Sequence, residues 1–123
     1  DIMTKGQLVL DGRKVLVLED ELIIAFALED MLADLGAEVL VANSLAEAQV
    51  KAVEPELSLA VLDVNVHGLK SYSFAEELVA RGVPLIFATG YGDAEHPPQF
   101  ADTRTLTKPY QRQQLLDAIS RIV

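Results

Sequence analysis

Cysteine is absent from the 123 residues, which excludes a disulfide scaffold, a thiolate metal site and a cysteine nucleophile. No apolar run approaches the roughly 18 residues needed to cross a bilayer. The first residues lack a basic segment followed by an apolar one, so no signal peptide is read there and a cytoplasmic location without membrane contact is expected. Basic residues are few: 10 Lys and Arg stand against 19 Asp and Glu, for a formal net charge of −9. Such a surface repels phosphate backbones and argues against direct nucleic-acid binding. The acids also have a plainer use, which is to keep exposed helix faces solvated. No internal repeat, low-complexity tract or linker interrupts the chain, and no helix-turn-helix segment lies within it.

What is present is a chain half apolar and 24% charged, enough for one domain with one sizeable core. Short apolar runs alternate with longer stretches of helical periodicity. Val15 to Leu18 reads as a strand buried on both faces. Asp20 and Glu21 open a helix in which Ile24, Leu28, Met31, Leu32 and Leu35 recur at helical spacing, and Gly36 stops it. Val39 to Ala42 is a second strand. Ser44 with Glu47 is a capping-box signature for a helix running to about Glu54. Leu59 to Val64 is a third buried strand, followed by a helix from Ser73 to Arg81 that Gly82 closes. Leu85 to Thr89 and Thr105 to Thr107 are the fourth and fifth strands. A final helix from Gln111 to Ile122 turns Leu115, Leu116 and Ile119 inward. The expected fold is therefore α/β, a doubly wound five-stranded parallel sheet with helices on both faces. Residues 14–123 form the expected domain and residues 1–13 an N-terminal extension. Asp1 and Ile2, which precede Met3, read as a cloning scar or the tail of an upstream segment.

In such folds the functional site lies beyond the C-terminal strand ends. The first strand brings Glu19 and Asp20 there, the third Asp63 and Asn65, the fourth Thr89 and the fifth Lys108. Taken singly, an acid after a strand is often a helix cap, a lysine a surface charge and a threonine a strand former. Asp63 is harder to dismiss, because an acid ending a buried apolar run needs a reason. Three acids at one sheet edge repel one another, and a divalent cation removes that cost; oxygen-only ligands suit a hard ion such as Mg²⁺. The chemistry this predicts is phosphoryl transfer to the Asp63 carboxylate, with Mg²⁺ held by Glu19 and Asp20, and with Lys108 and the Thr89 hydroxyl on the phosphoryl oxygens. His67 and His96 are isolated in sequence and read as surface loop residues.

The string Val15-Leu16-Val17-Leu18-Glu19-Asp20-Glu21 resembles the opening of a response-regulator receiver domain of two-component systems. Leu62-Asp63-Val64-Asn65 resembles its phosphoacceptor segment, Thr89-Gly90 its switch-hydroxyl position and Lys108-Pro109 its lysine followed by proline. The match runs from about Lys14 to Val123. Phe87-Ala88-Thr89-Gly90-Tyr91 with Lys108-Pro109-Tyr110 looks like the receiver subgroup nicknamed "FAT GUY". The resemblance implies a flavodoxin-like sheet of order 2-1-3-4-5. It implies phosphorylation of Asp63 by a sensor histidine kinase or phosphotransfer protein, and an output protein whose binding is switched. It also implies a metal site completed by the backbone carbonyl of Asn65, a cis Lys108–Pro109 bond, and a Tyr91 ring that shields the aspartyl phosphate from water. On this reading the domain is a phosphoacceptor, with only self-directed phosphoryl chemistry, rather than an enzyme acting on other substrates. Three positions depart from the family pattern. Glu19 stands where Asp is commoner, Val66-His67 where a Met-Pro pair is frequent, and Thr105 where many receivers carry an aromatic switch residue.

Two other functions share these residue types. A haloacid-dehalogenase-like phosphatase also uses Asp, Thr, Lys and Mg²⁺, but needs a general-acid Asp two residues after its nucleophile, where this chain has Asn65. A non-phosphorylated interaction module on the same fold is the other alternative. The segment from Asp93 to Arg104 carries two adjacent prolines and one large apolar residue, Phe100. The helix usual before the fifth strand is therefore expected to be missing, or cut to about one turn after Pro98. Phosphorylation is then expected to order this segment and the Gly90–Gly92 loop rather than move a preformed helix, and dimers through this face are expected to be disfavoured.

Overall fold

Strand β1 (Lys14–Leu18) is apolar at four successive positions and buries all four. The strand's two-residue period explains why. Val15 and Val17 point to one face of the sheet and Leu16 and Leu18 to the other, and helices cover both faces. The computed structural model describes residues 9–90 and 96–122. In these, α1 (Leu22–Asp34), β2 (Glu38–Ala42), α2 (Leu45–Lys51), β3 (Leu57–Asp63), a hairpin of β4 (Asn65–Val66) and β5 (Leu69–Lys70), α3 (Tyr72–Ala80), β6 (Leu85–Thr89), β7 (Arg104–Thr107) and α4 (Arg112–Ser120) follow in order. The main sheet runs β2-β1-β3-β6-β7, all parallel. Counted among its own strands, this is the expected order 2-1-3-4-5.

Helices α1 and α4 bury Leu28, Leu32, Leu115 and Ile119 on one face against Val15, Val17, Val61 and Ile86. On the other face α2 and α3 bury Ala48, Phe74, Ala75 and Leu78 against Leu16, Leu18, Leu62 and Phe87. The chain before β1 joins the first of these layers. Leu10 is fully buried, and its N–H donates to Leu35 O at 2.9 Å. Directly beneath, Gly36 has φ +94°, and a Cβ there would lie 2.8 Å from Asp11 Cα. Only glycine ends α1 at this close approach.

The capping signature at α2 is realised: Ser44 Oγ accepts from the N–H of Glu47 at 3.1 Å. The Glu47 carboxylate reaches back to the N–H of Asn43 at 2.6 Å. The β4–β5 hairpin has no counterpart in the sequence reading. Its strands are two residues each, too short for alternation to register, and its turn places His67 at φ 51° and Gly68 at φ 79°. Between β6 and β7 the described residues hold a single 3₁₀ turn, Pro98–Phe100, as the two prolines predict. Tyr91 and Gly92 lie outside the described residues, and with them the shielding expected of Tyr91 and the loop ordering expected around Gly92. Among the described residues no helix is long and apolar enough to cross a membrane.

Candidate functional site

Each strand ending at the upper edge of the sheet delivers one polar side chain. β1 leads into Glu19, whose N–H donates to Ala42 O at 3.0 Å, so the strand's pairing continues up to the acid. β3 ends on Asp63, opposite Ala88 in the register, and the next N–H, of Val64, donates to Ala88 O. β6 ends on Thr89, opposite Thr107, and Lys108 N donates to Thr89 O at 2.7 Å. Backbone pairing thus continues to the last residue before each functional side chain, which holds the edge in fixed register.

Glu19, Asp20 and Asp63 each bring a carboxylate oxygen within 4.8 Å of the others. Glu19 and Asp63 are buried, while Asp20 is partly open. The Lys108 ammonium donates to Asp63 Oδ2 at 3.0 Å and is in close contact with Glu19 Oε1. Burial pulls its pKa down, but its hydrogen bonds to Glu19 and Asp63 outweigh that and leave it raised. Lys108 therefore stays cationic. Burial pushes Glu19 up to about 7, with the Asp63 charge adding to the effect against Lys108 and the Glu21 N–H. For Glu19, burial and the Asp63 charge oppose ionisation, and Lys108 offsets only part of that.

The surrounding backbone is organised around these carboxylates. The Glu21 N–H donates to Glu19 Oε2 at 3.1 Å, the His67 N–H to Asp20 Oδ2 at 2.8 Å and the Asn65 N–H to Asp63 Oδ1 at 3.4 Å. The oxygen-only donor set, with one carboxylate partly open to solvent, fits a hard divalent cation such as Mg²⁺. The Lys108–Pro109 bond is cis, as the resemblance implies. Beside it the Tyr110 hydroxyl is pushed up to about 12, first by burial and then by the Glu19 charge.

All the residues singled out in the sequence, Glu19, Asp20, Asp63, Asn65, Thr89 and Lys108, come to this edge. Sequence reasoning missed their supports. Ser71 is fully buried and donates to Asp63 O at 2.7 Å, which pins the turn after the acid. Asn43 Nδ2 donates to Glu19 O at 3.0 Å. His67 is exposed as expected, but its place in the hairpin turn delivers the N–H to Asp20. His96 is not a free surface residue: it is half-buried and hydrogen-bonded through both ring nitrogens, to Tyr72 and Thr105. No sequence signal marks that pairing, because its partners come from α3 and β7.

The chain is similar in fold and in sequence to known proteins. The solution structure of SdrG from Sphingomonas melonis Fr1 superposes with a TM-score of 0.80 at 34% identity, covering 89% of this chain and 95% of that one. The PhyR response regulator REC domain of Erythrobacter litoralis superposes with a TM-score of 0.76 at 28% identity, covering 91% and 90%. Nodulation protein W of Bradyrhizobium diazoefficiens is 31% identical over 110 residues, 85% of this chain and 48% of that protein. The transcriptional regulatory protein TdiR of Thauera aromatica is 29% identical over 111 residues, 86% of this chain and 49% of that protein. The chain thus spans about half the length of these curated relatives. Residues 15–120 match the response regulator receiver domain, so with its sheet order and its acidic strand edge the chain belongs to the response-regulator receiver family of two-component signalling.

Proposed function

We propose that Asp63 is the phosphoacceptor of this receiver and that a sensor histidine kinase or phosphotransfer protein supplies its phosphoryl group. The observation that carries this reading is the Lys108 ammonium, held 3.0 Å from Asp63 Oδ2 among three carboxylates. A carboxylate oxygen of Asp63 attacks phosphorus as the bond to the donor's histidine nitrogen breaks, and that nitrogen leaves with the electron pair and takes up a proton. Lys108 pairs with one phosphoryl oxygen and the Thr89 hydroxyl donates to another. Little covalent work is asked of the protein, and positioning and electrostatics supply most of the effect.

Glu19, Asp20, Asp63 and the backbone carbonyl of Asn65 are the residues that would hold Mg²⁺. When bound, the ion supplies positive charge to the carboxylates and the transferred group. The receiver unit is taken as residues 14–123, with Leu10 of the preceding extension contributing to its core. We place the domain in the cytoplasm, acting by switched binding of an output protein, without direct contact to nucleic acid and without turnover of outside substrates.

SdrG, 34% identical, has a BeF3-activated conformation, which supports beryllofluoride as a probe here. Incubation with acetyl phosphate or a cognate kinase and Mg²⁺ should add one phosphoryl group by intact mass, and Asp63→Asn should abolish it. Labelling that survives in Asp63→Asn would overturn the assignment.

A further inference from the structure

The face of the sheet below Thr89 carries a hydrogen-bonded chain that the phosphoacceptor chemistry leaves unexplained. His96 sits over Phe87, ring centroids 4.8 Å apart, and edge-on to Tyr72 at 5.6 Å. Its Nδ1 is 2.8 Å from the Tyr72 hydroxyl and its Nε2 2.7 Å from Thr105 Oγ1. Thr105 in turn donates to Thr103 O at 3.3 Å. That last bond orders the protons along the chain. With its own hydrogen spent on Thr103 O, Thr105 accepts from Nε2–H, so Nδ1 is the acceptor for the Tyr72 O–H. The result is a one-directional relay, Tyr72 to His96 to Thr105 to Thr103, that needs the neutral imidazole.

Its position bears on the site. Phe87 and Thr89 lie on the same face of β6, two residues apart, which is about 7 Å along a strand. Thr105 and Thr107 are their register partners on β7. The ring therefore braces α3 against β7 one strand repeat from Thr89, at the place where Thr105 lacks the aromatic side chain usual in the family.

We propose that His96 is a positioning residue for the switch half of the site, a neutral tether that holds Tyr72 and Thr105 together so that the β6 end carrying Thr89 is set for the phosphoryl group. This rests on the phosphoacceptor reading of Asp63. Among the described residues, every group packed about the ring fits a neutral tether. α3 presents the Tyr72 phenol and, one turn on, Glu76, whose carboxylate is engaged by Gln99 Nε2 at 2.6 Å. The 98–100 turn presents no charge, β6 presents Phe87, and Arg104 lies on the opposite side of β7 from Thr105. Burial lowers the pKa of the imidazole.

The test uses variants that remove one hydroxyl and keep the shape: Tyr72→Phe, and Thr105→Val with Thr105→Ser as the rescue. Binding of beryllofluoride with Mg²⁺, followed by ¹⁹F resonance, should weaken about fivefold or more in Tyr72→Phe and Thr105→Val and return in Thr105→Ser. The double variant should be no worse than either single one. Reciprocity adds a readout that a merely structural role would not move: beryllofluoride should lower the His96 titration midpoint further, read from its ring carbon and nitrogen shifts. With only two histidines in the chain, the signal is assigned by single replacement. Wild-type affinity in both variants, or a His96 midpoint unmoved by beryllofluoride, overturns the tether and leaves the Asp63 reading standing. Failure of the wild-type protein to bind beryllofluoride overturns both.

Discussion

At the scale of single residues, Glu19 and Asp20 are adjacent acids with different surroundings. Glu19 is buried and touches Lys108; Asp20 is more open, held by the His67 N–H. Asp20→Ala should therefore weaken Mg²⁺ binding more than Glu19→Ala, and equal affinities by calorimetric titration would refute the distinction. Glu19 should also make Mg²⁺ binding proton-linked. Its pKa is pushed above the ordinary carboxylate value to about 7, so the protonated form favours the fold. That contribution is full below the unfolded value and is lost as pH rises through about 7. A cation needs the ionised form and so must displace this proton below neutral pH. Mg²⁺ affinity should rise with pH and level off above about 7, with proton uptake by buffers of different ionisation enthalpy as the check. Glu19→Gln should remove the proton release.

Among the elements, the junction after α1 makes the sharpest demand on the sequence. Gly36→Ala meets both a positive φ and the Asp11 backbone. It should cost about 1–3 kcal/mol by denaturant unfolding and loosen residues 10–12 with it. Ser44→Ala removes the oxygen that accepts the Glu47 N–H and should cost about 1 kcal/mol. The ordering of these two values tests whether α1 is anchored from outside and α2 from its own cap. Both features were legible, since a glycine after a periodic run and a Ser-x-x-Glu box are local signals. The same holds for the 3₁₀ turn at Pro98–Phe100, where two prolines and a lone large apolar residue leave little to build a helix on. The β4–β5 hairpin was not legible, because its pairing depends on how the chain leaves Asp63 rather than on its own four residues.

For the whole molecule, the acidic edge gathers three carboxylates about Lys108 on a fold whose interior is well satisfied; among the described residues no buried side-chain polar atom lacks a partner. A ligand that binds the folded state alone stabilises by mass action, about 2.7 kcal/mol at a hundredfold excess over its Kd. Mg²⁺ should raise the midpoint of thermal unfolding, and Asp20→Ala should blunt the rise. A midpoint insensitive to Mg²⁺ would argue that the three carboxylates do not bind it.

The amino-acid sequence by itself determined the α/β class, the strand order implied by the resemblance, and the strand ends carrying Glu19, Asp63, Thr89 and Lys108. Apolar periodicity and short motifs are local, and parallel right-handed crossovers leave few ways to assemble them. Only the tertiary structure decided what surrounds those ends. Ser71 closing on Asp63 O, the His67 N–H on Asp20, Leu10 beneath α1 and His96 between Tyr72 and Thr105 each join segments far apart in the chain or turned by an unsignalled hairpin. A hydrogen bond between distant residues depends on where the packed sheet and helices bring them, and composition carries no record of that distance.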